Sequence, residues 1–246
     1  ILNYIKINKN VRNQGRSSVM NDKEFIQELV EKAKVAQEEL ANYTQEEVNA
    51  IVKVIAKTVY DNAEELAKMA VEETRMGVYE DKVAKNMGKS KTIYNHIIDK
   101  KSVGIIDRDD AKGLVFVAKP VGVVAAVTPT TNPIVTPMCN SMFALKGGNP
   151  IIIAPHPRSQ KSSTYTVDLI LKAMKDQGVK CPENAIQIIS ESTIARTGEL
   201  MRAVDVVLAT GGMGVVKEAY SSGKPSFGVG AGNVQVIVDE DVDFAD

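Results

Sequence analysis

The sequence predicts an α/β fold whose sheet is mostly parallel. The prediction rests on a difference between the first 119 residues and the rest of the chain. The first 119 residues contain no proline, whereas all nine prolines lie from Pro120 onward. In the first part, apolar residues recur at intervals of three and four, as on one face of a helix. In the second part, short apolar runs alternate with helical patterns, which indicates parallel strands joined by right-handed crossovers. We therefore expect a helical N-terminal segment followed by a Rossmann-type sheet with flanking helices.

Four helices are predicted before residue 100. The first begins at Asp22, and its apolar face is formed by Phe25, Leu29, Val30, Ala33, Ala36 and Leu40. Thr44 and Glu47 have the spacing of a capping box, which starts the second helix. The apolar face of that helix is formed by Val48, Ile51, Val52, Ile55 and Val59. Two further helices are expected over residues 62–75 and 80–98.

A β-hairpin is predicted next, over about residues 101–118. Its two strands would cover 103–106 and 114–118, with the polar turn 107–113 between them.

The elements beyond the hairpin alternate regularly. We expect strands over 121–127, 151–154, 185–189, 206–209 and 234–238, and helices over 134–146, 160–177, 193–201 and 214–222. Pro129 and Pro133 lack the N–H group that a sheet ladder needs, so the first of these strands must end before them.

Composition narrows the function classes. The chain has 246 residues, 44% of them hydrophobic, and a net charge of −1, which suits one large domain or two small ones. Balanced charges argue against nucleic acid and membrane surfaces as partners. The apolar runs are too short for a transmembrane helix or a signal peptide, so we expect a cytoplasmic protein. Cys139 and Cys181 are too few for a disulfide framework and have no metal-ligand spacing, so no metal site is predicted.

Residues 1–20 are expected to form a disordered tail. They contain no acidic residue, and their basic residues are Lys6, Lys9, Arg12 and Arg16. A targeting or encapsulation peptide is the alternative, against which the weak amphipathicity of the segment argues.

Polar groups stand directly beyond the first strand of the sheet, where ligands bind in open α/β folds. The residues there are Thr128, Pro129, Thr130, Thr131 and Asn132. The amide of Asn132 can donate to a developing oxyanion, and a preorganised donor of this kind is worth roughly 10²–10³ in rate. The alternative is that Asn132 caps or closes the turn, with Pro133 at the first helical position.

A second turn follows the strand predicted over 206–209. It consists of Thr210, Gly211 and Gly212, and it opens a helix that contains Val215. Because the glycines have no side chains, backbone N–H groups there can approach a phosphate. An ordinary strand-to-helix turn is the alternative.

Five passages of the chain carry a resemblance to a known family. They are Lys119–Pro133, Ala154–Arg158, Asp205–Gly214, Tyr220–Pro225 and Phe227–Asp239. Together they resemble the aldehyde dehydrogenase superfamily, from about Asn21 to the last residue. The form Thr-Pro-x-Thr-Asn-Pro, with no aromatic residue before the Asn, resembles its coenzyme A-acylating branch. Within that branch, residues 59–64 and 76–85 are most similar to members that act on succinate semialdehyde.

The resemblance implies the oxidation of an aldehyde with NAD or NADP as cofactor and coenzyme A as co-substrate. Succinate semialdehyde is the first choice of substrate, and sulfoacetaldehyde or a short aliphatic aldehyde are the alternatives. Asn132 would stabilise the oxyanion. The residues that would line the cofactor site are Thr128, Pro129, Thr130, Thr131, His156, Arg158, Thr210, Gly211, Gly212, Val215, Gly230 and Gly232.

The resemblance also implies an assembly and a location. The hairpin at 101–118 would be an arm that pairs with another subunit of a homo-oligomer, a dimer or a tetramer. The protein would be bacterial and cytoplasmic, with a microcompartment as the alternative location.

The chain departs from the hydrolytic branch of the family after the second strand of the sheet. Hydrolytic members carry a Lys at the position of Ala154 and a Glu near Pro157, and these grip the adenosine ribose. His156 is then the expected substitute contact, to the ribose or to coenzyme A, with a structural role as the alternative. Arg158 either meets a 2′-phosphate or is solvated.

A second departure concerns the glycine-rich loop. Hydrolytic members carry a Glu at its start, where it activates water, whereas this chain has Phe227 and Gly228. Without a carboxylate, an acyl-enzyme survives until another thiol attacks it, which favours transfer to coenzyme A over release of a free acid. Gly230 and Gly232, in the same loop, either bend the chain or leave space for cofactor and thioester.

The family's nucleophilic Cys lies some tens of residues beyond this loop, and the sequence ends at Asp246. Cys139 and Cys181 are not in a match for the thiol motif, so neither is assigned a catalytic role. We therefore expect residues 21–246 to be the cofactor-binding portion of the enzyme, without the domain that bears the thiol. A non-catalytic nucleotide-binding or assembly module is the competing function.

Overall fold

The computed structural model describes residues 21–240. Its helical part consists of α1 (Asp22–Leu40), α2 (Gln45–Asp61), α3 (Ala63–Thr74) and α4 (Tyr79–Ile97). The elements that follow are β1 (Gly104–Asp109), β2 (Leu114–Ala118), β3 (Val124–Thr128), α5 (Val135–Lys146), β4 (Ile151–Pro155), α6 (Gln160–Asp176), β5 (Ile186–Ile188), α7 (Ile194–Ala203), β6 (Val206–Thr210), α8 (Met213–Ser221) and β7 (Ser226–Val229). Every element predicted between residues 22 and 222 is present, with its ends shifted by a few residues.

The first two helices each begin with a capping box, in which a side chain and a backbone N–H of two residues satisfy each other. At α2, Thr44 Oγ1 accepts from Glu47 N–H at 3.2 Å, and Glu47 Oε2 accepts from Thr44 N–H at 2.8 Å, as predicted. Asn21 and Glu24 form a second box at α1, which the prediction missed although the spacing is the same.

The sheet has five parallel strands in the order β5-β4-β3-β6-β7. The chain runs from β3 outward to β5 and then returns to β6, so the strand order reverses between β3 and β6. Val124 and Ala126 of β3 belong to the core formed with α2, α5 and α6, whereas Ala125 and Val127 belong to the core formed with α1 and α7. Because both faces are covered, β3 is apolar throughout rather than alternating.

The hairpin formed by β1 and β2 stands apart from this sheet, with Gly104 paired to Ala118. Three consecutive apolar residues, Val115, Phe116 and Val117, are each about half exposed. The described part of the chain therefore covers neither face of the hairpin. The predicted hairpin is present, and its pairing with another subunit stays a prediction.

The strand predicted over 234–238 is wrong. The strand at this end of the sheet is β7, Ser226–Val229, which pairs with β6. Val234, Val236 and Val238 alternate as in a strand, but a ladder needs a partner, and no strand of the described chain lies beside them.

The first strand of the sheet begins later than predicted, at Val124. The N–H groups of Val121 and Gly122 donate to Asn149 Oδ1 at 2.7 and 3.2 Å. Because these groups are bonded to a side chain, the ladder does not include them. The strand ends before Pro129, as predicted.

The predicted tail at residues 1–20 lies outside the described residues. In residues 21–240, no helix is both long and apolar enough to cross a bilayer. The same range contains no group of three or more His, Cys, Asp or Glu side chains arranged to hold a metal ion.

Candidate functional site

The carboxyl ends of four strands meet at one edge of the sheet. Thr128 of β3 lies opposite Pro155 of β4, and Thr210 of β6 lies opposite Val229 of β7. Because the strands are parallel, the turns that follow them leave from the same edge. The predicted site residues lie on these turns: Thr128 to Asn132 at the end of β3, His156 and Arg158 after β4, Thr210 to Gly212 after β6 with Val215 in α8, and Gly230 and Gly232 after β7. The strand order reverses between β3 and β6, which is where ligands bind in such sheets.

The turn after β3 contains buried hydroxyl groups that no described residue satisfies. The Oγ1 atoms of Thr128 and Thr130 are buried and have no hydrogen-bond partner in residues 21–240. A buried polar group without a partner costs about 1–3 kcal/mol, so native proteins pair such groups with protein, water or ligand. Pro129 between them is buried, and Thr131 is exposed. The two hydroxyls suit a ligand that brings hydrogen-bonding atoms to this turn.

The side chain of Asn132 does not cap the helix that follows it. Helix α5 begins at Val135 without a side-chain cap, and the main-chain carbonyl of Asn132 accepts from Thr136 N–H at 3.2 Å. The amide is held elsewhere: Oδ1 accepts from Lys85 Nζ at 3.3 Å, and Nδ2 donates to Thr131 Oγ1 at 3.3 Å. The backbone therefore closes the turn, and the half-buried amide stays available for chemistry.

Two lysines of α4 reach this turn, and no sequence pattern predicts that they do. Lys82 Nζ donates to the carbonyl of Thr131 at 2.5 Å, beside the contact of Lys85 with Asn132. Lys82 is only 8% exposed, and burial, followed by the charge of Lys85, lowers its pKa. A buried ammonium group is costly unless it is hydrogen-bonded, so the Thr131 carbonyl is an important partner.

The N-terminus of α8 leaves backbone N–H groups without partners. The N–H groups of Gly212, Met213 and Gly214 bond to nothing within residues 21–240, and Gly212 as N-cap has no side chain to satisfy them. The N–H of Gly211 differs, because it donates to the carbonyl of Val229 at 3.1 Å. In the predicted glycine turn, the N–H group of Gly211 is therefore already bonded to β7. The free N–H groups of the helix end beyond it suit a phosphate.

The N-terminus of α6, at the same edge, is closed by a carboxylate from α3. Glu73 Oε1 accepts from Lys161 N–H at 2.8 Å, and its Oε2 accepts from the N–H and the Oγ of Ser162 at 2.8 and 2.6 Å. Glu73 and Lys161 are 88 positions apart, so no local pattern predicts this cap. The carboxylate occupies the place that a phosphate would take at this helix end.

The sequence matches the model of the aldehyde dehydrogenase family over residues 10–246. The chain belongs to this family. It is 58% identical over 225 residues to the succinate-semialdehyde dehydrogenase (acetylating) of Clostridium kluyveri, which covers 92% of this chain and 49% of that protein. It is 46% identical over 224 residues to a sulfoacetaldehyde dehydrogenase of an Acholeplasma species, which covers 90% of this chain and 46% of that protein.

Solved structures of aldehyde dehydrogenases share the fold. An acetylating aldehyde dehydrogenase from Geobacillus thermoglucosidasius has a TM-score of 0.82 and 42% identity, over 87% of this chain and 47% of that chain. A propionaldehyde dehydrogenase from Rhodopseudomonas palustris, with bound CoA and an acylated cysteine, has a TM-score of 0.72 and 32% identity, over 85% and 47%. The chain thus spans about half the length of these relatives. The predicted family, fold class and similarity to acylating members are confirmed.

The side chain of His156, which was predicted to contact the cofactor or coenzyme A, caps the turn that follows it. Its Nδ1 accepts from Arg158 N–H at 3.1 Å, which caps the 3₁₀ turn Pro157–Ser159. Partial burial, followed by the charge of Arg158, lowers the pKa of His156. The cap therefore implies a neutral ring with its proton on Nε2. Both side chains are exposed, so Nε2–H and the guanidinium group are open to a ligand.

The glycine-rich loop of the aldehyde dehydrogenase chain is packed at its start. A Cβ at Gly228 would lie 2.9 Å from the ring of Tyr220, so a larger residue does not fit there. Gly230 lies against α8, since a Cβ there would lie 2.9 Å from Met213 Sδ. At Gly232, by contrast, no described atom apart from its chain neighbours lies within 4 Å of the Cβ position. Gly230 therefore lies against the N-terminus of α8, whereas Gly232 packs against no element of the described chain.

The two cysteines of the chain are unsuited to nucleophilic attack. Cys139 lies in α5, and Cys181 lies in the loop between α6 and β5. Burial raises the pKa of Cys139 to about 11 and that of Cys181 to about 12. Because the thiolate is the reactive form, both side chains are poor nucleophiles near pH 7.

Proposed function

We propose that this chain is the cofactor-binding part of an NAD(P)-dependent, coenzyme A-acylating aldehyde dehydrogenase. The observation that carries the proposal is the edge of the sheet at which the neighbouring parallel strands β3 and β6 end. The turn after β3 carries the amide of Asn132 and the unpaired hydroxyls of Thr128 and Thr130, and the turn after β6 leads to the open N-terminus of α8. Two acylating enzymes among the relatives and solved structures support the assignment.

The residues at this edge of the sheet suit a dinucleotide. The N–H groups of Gly212 to Gly214 would hold the pyrophosphate, with Thr210 and Val215 beside it. When bound, the nicotinamide ring supplies a hydride acceptor. His156 Nε2–H would contact the adenosine ribose or coenzyme A, and the guanidinium group of Arg158 would meet the 2′-phosphate if the cofactor is NADP.

Asn132 would act on the aldehyde carbonyl. Attack of a thiol on an aldehyde creates an alkoxide, and the amide N–H of Asn132 would donate to that oxygen. The N-terminus of α5, which begins just beyond this residue, adds a positive potential of the same sense. We place the nucleophilic thiol outside residues 21–240, because neither Cys139 nor Cys181 is in a match for the family's thiol motif, and burial raises the pKa of both.

The acyl group would pass to coenzyme A. Phe227 is 66% exposed at the start of the glycine-rich loop, and Gly228 follows it, so this position offers no carboxylate to activate water. A thioester formed there would persist until the thiol of coenzyme A attacks it.

Succinate semialdehyde is the proposed substrate. The relative that is 58% identical carries that name, and this level of identity extends over 92% of the chain. Sulfoacetaldehyde and short aliphatic aldehydes remain the alternatives, since relatives named for sulfoacetaldehyde are 40–46% identical.

We also propose that the β1–β2 hairpin is the arm of a homo-oligomer, a dimer or a tetramer. The support is its row of half-exposed apolar side chains, which includes Ile105 and Phe116 and which the described chain leaves uncovered. The bacterial cytoplasm remains the expected location.

Product analysis of the full-length gene product tests the proposal. With succinate semialdehyde and NAD or NADP, we expect succinyl-coenzyme A to form only when coenzyme A is present, with little free succinate. Rapid release of free succinate without coenzyme A would refute acyl transfer to coenzyme A. The chain would then be assigned to the hydrolytic branch of the family.

The 246-residue chain by itself tests the placement of the thiol. We expect it to bind the cofactor and to show no turnover above background in the same assay. Turnover that disappears in Cys139→Ser would contradict this placement. Failure to bind either cofactor would contradict both the proposed cofactor site and the competing function as a nucleotide-binding module.

A further inference from the structure

We propose that Lys85 and Lys82 are positioning residues for the amide of Asn132, and that Lys85 decides which end of that amide faces the aldehyde. The inference rests on the proposed oxyanion role of Asn132. It adds that the amide must be oriented by a hydrogen-bond donor on α4, which selects one of the two possible amide orientations.

An Asn amide has two chemically different ends of nearly the same shape. Only the Nδ2 end can donate to an alkoxide, so a flipped amide would present an oxygen to a negative charge. Lys85 discriminates between the ends, because an ammonium group has three donors and no acceptor. Its contact with Oδ1 at 3.3 Å therefore holds the oxygen toward α4 and leaves Nδ2 for other partners.

The other neighbour of the amide does not discriminate. Nδ2 of Asn132 donates to Thr131 Oγ1 at 3.3 Å, and Thr131 is exposed. A hydroxyl group is both donor and acceptor, so the same group would equally satisfy a flipped amide. The orientation of the amide therefore depends on Lys85.

Lys82 holds the backbone that carries the amide. Its ammonium group donates to the carbonyl of Thr131 at 2.5 Å and is largely buried. The chain makes room for it at Gly77, where φ is +81° and a Cβ would lie 2.7 Å from Lys82 Cε. One turn further along α4, the buried Asn86 donates to the carbonyl of Ala63 at 3.1 Å, which ties α4 to α3 beside the lysines.

The spacing of the two lysines on α4 allows one to hold the backbone of the turn and the other to hold the amide of Asn132. Lys82 and Lys85 are three positions apart on α4, so their side chains lie on the same face of the helix. Lys85 is exposed, so water and salt weaken its direct attraction for an alkoxide. We therefore attribute its effect to the orientation of the amide rather than to its charge.

A double-mutant cycle in the full-length gene product tests this inference. We expect Lys85→Met to lower kcat about tenfold with little change in KM, because the amide loses both the orientation and the position that this hydrogen bond gives it, on the scale of one hydrogen bond to a charged group. Lys85→Arg should recover most of the loss, because guanidinium is also a donor without an acceptor. In an Asn132→Ala background, Lys85→Met should cost less than about twofold, since the amide it orients is gone.

Lys91→Met is the matched control. It removes the same charge from the same helix, and Lys91 is exposed with no hydrogen bond or ion pair in residues 21–240. We expect its kcat and KM to equal those of the wild type. Because Lys82 is buried and its loss risks the fold, the exposed Lys85 carries the kinetic test, and melting temperatures should stay equal for Lys85→Met and Lys91→Met.

A comparison of two aldehydes excludes a direct contact with the substrate. We expect Lys85→Met to lower kcat equally for succinate semialdehyde and for uncharged butyraldehyde. A loss confined to succinate semialdehyde, as a higher KM, would mean that Lys85 binds the carboxylate of the substrate and would overturn the inference.

The remaining outcomes separate this inference from the proposed function. An equal loss with and without the amide of Asn132, or no loss at all in Lys85→Met, would overturn the inference alone. Unchanged turnover in Asn132→Ala would overturn both the oxyanion role and the positioning of that amide.

Discussion

Among the helices that begin at the carboxyl edge of the sheet, α6 and α8 differ in how the N–H groups of their first turns are satisfied. At α6, the carboxylate of Glu73 accepts from the N–H groups of Lys161 and Ser162. At α8, the N–H groups of Gly212, Met213 and Gly214 have no partner in the described chain. Both ends carry the same positive potential, so the difference lies in what the rest of the fold supplies.

The turns beside the two helix ends differ in the same way. After β4, the ring of His156 caps its own turn, whereas after β3, the strand next to β6, the buried hydroxyls of Thr128 and Thr130 are unsatisfied. Where the fold satisfies its own polar groups, those groups serve stability. Where it leaves them unsatisfied, a ligand is the expected partner. We therefore propose that the pyrophosphate binds on the β3–β6 side of the edge, and that the N-terminus of α6 serves stability, apart from the contacts proposed for His156 and Arg158.

The largest expected effect is on the functional side. Asn132→Ala in the full-length gene product should lower kcat about 10²–10³-fold with little change in cofactor affinity, as for the loss of one oxyanion donor. Steady-state kinetics and thermal melting check this together. A loss of melting temperature in proportion to the loss of activity would instead assign Asn132 to the closing of its turn.

On the structural side, Glu73→Ala should lower stability rather than activity. It removes three hydrogen bonds from a helix end, for which we expect a loss of about 1–2 kcal/mol and a melting temperature several degrees lower. Glu72→Ala, at the exposed neighbouring position, is the control and should melt like the wild type. Weaker cofactor binding by Glu73→Ala at an unchanged melting temperature would break the contrast.

The contrast can also be tested by giving α8 a side-chain cap, so that its first N–H groups are satisfied as those of α6 are. Gly212 is the N-cap of α8, and no atom apart from its neighbours lies within 4 Å of its Cβ position, so Gly212→Asp adds a carboxylate without a clash. We expect cofactor affinity to fall about tenfold and the melting temperature to stay level or rise slightly. Gly212→Asn caps without charge, and in calorimetric titrations it should lose less affinity than Gly212→Asp. Equal affinity in all three proteins would contradict a phosphate at this helix end.

The smallest effect concerns the pH dependence of the His156 cap. Its folded pKa lies below the ordinary value of 6.5, because partial burial and Arg158 disfavour the charged ring. As pH falls below 6.5, the unfolded state takes up the proton first, so stability falls, whereas above 6.5 the contribution is constant. His156→Asn keeps a cap that does not titrate. Between pH 7.5 and 5.5, the melting temperature of the wild type should fall further than that of this variant, and an equal fall in the two proteins would contradict the assignment.

The sequence was sufficient to predict what depends on neighbouring residues. The capping box of Thr44 and Glu47, the hairpin and the end of β3 before Pro129 follow from local spacing, and all three are present. The strand predicted over 234–238 failed because a strand depends on a partner as well as on its own alternation.

The missed parts of the site depend on tertiary contacts. Glu73 reaches Lys161 across 88 positions, and Lys85 reaches Asn132 across 47, so neither contact leaves a local pattern. The turns after the strands were predictable, because parallel strands bring their carboxyl ends to one edge. Which of their polar groups are satisfied could not be predicted, since long-range side chains decide it.

Hydrogen exchange measured by mass spectrometry tests the central claim most directly. The full-length gene product would be labelled with and without saturating NAD or NADP, and two peptides compared: one with residues 211–216 at the start of α8, and one with residues 159–164 at the start of α6. The cofactor should slow exchange in the first peptide, where N–H groups are free, and leave the second unchanged because Glu73 already holds it. Protection at the start of α6 with none at α8 would contradict the assignment of the cofactor to the open helix end.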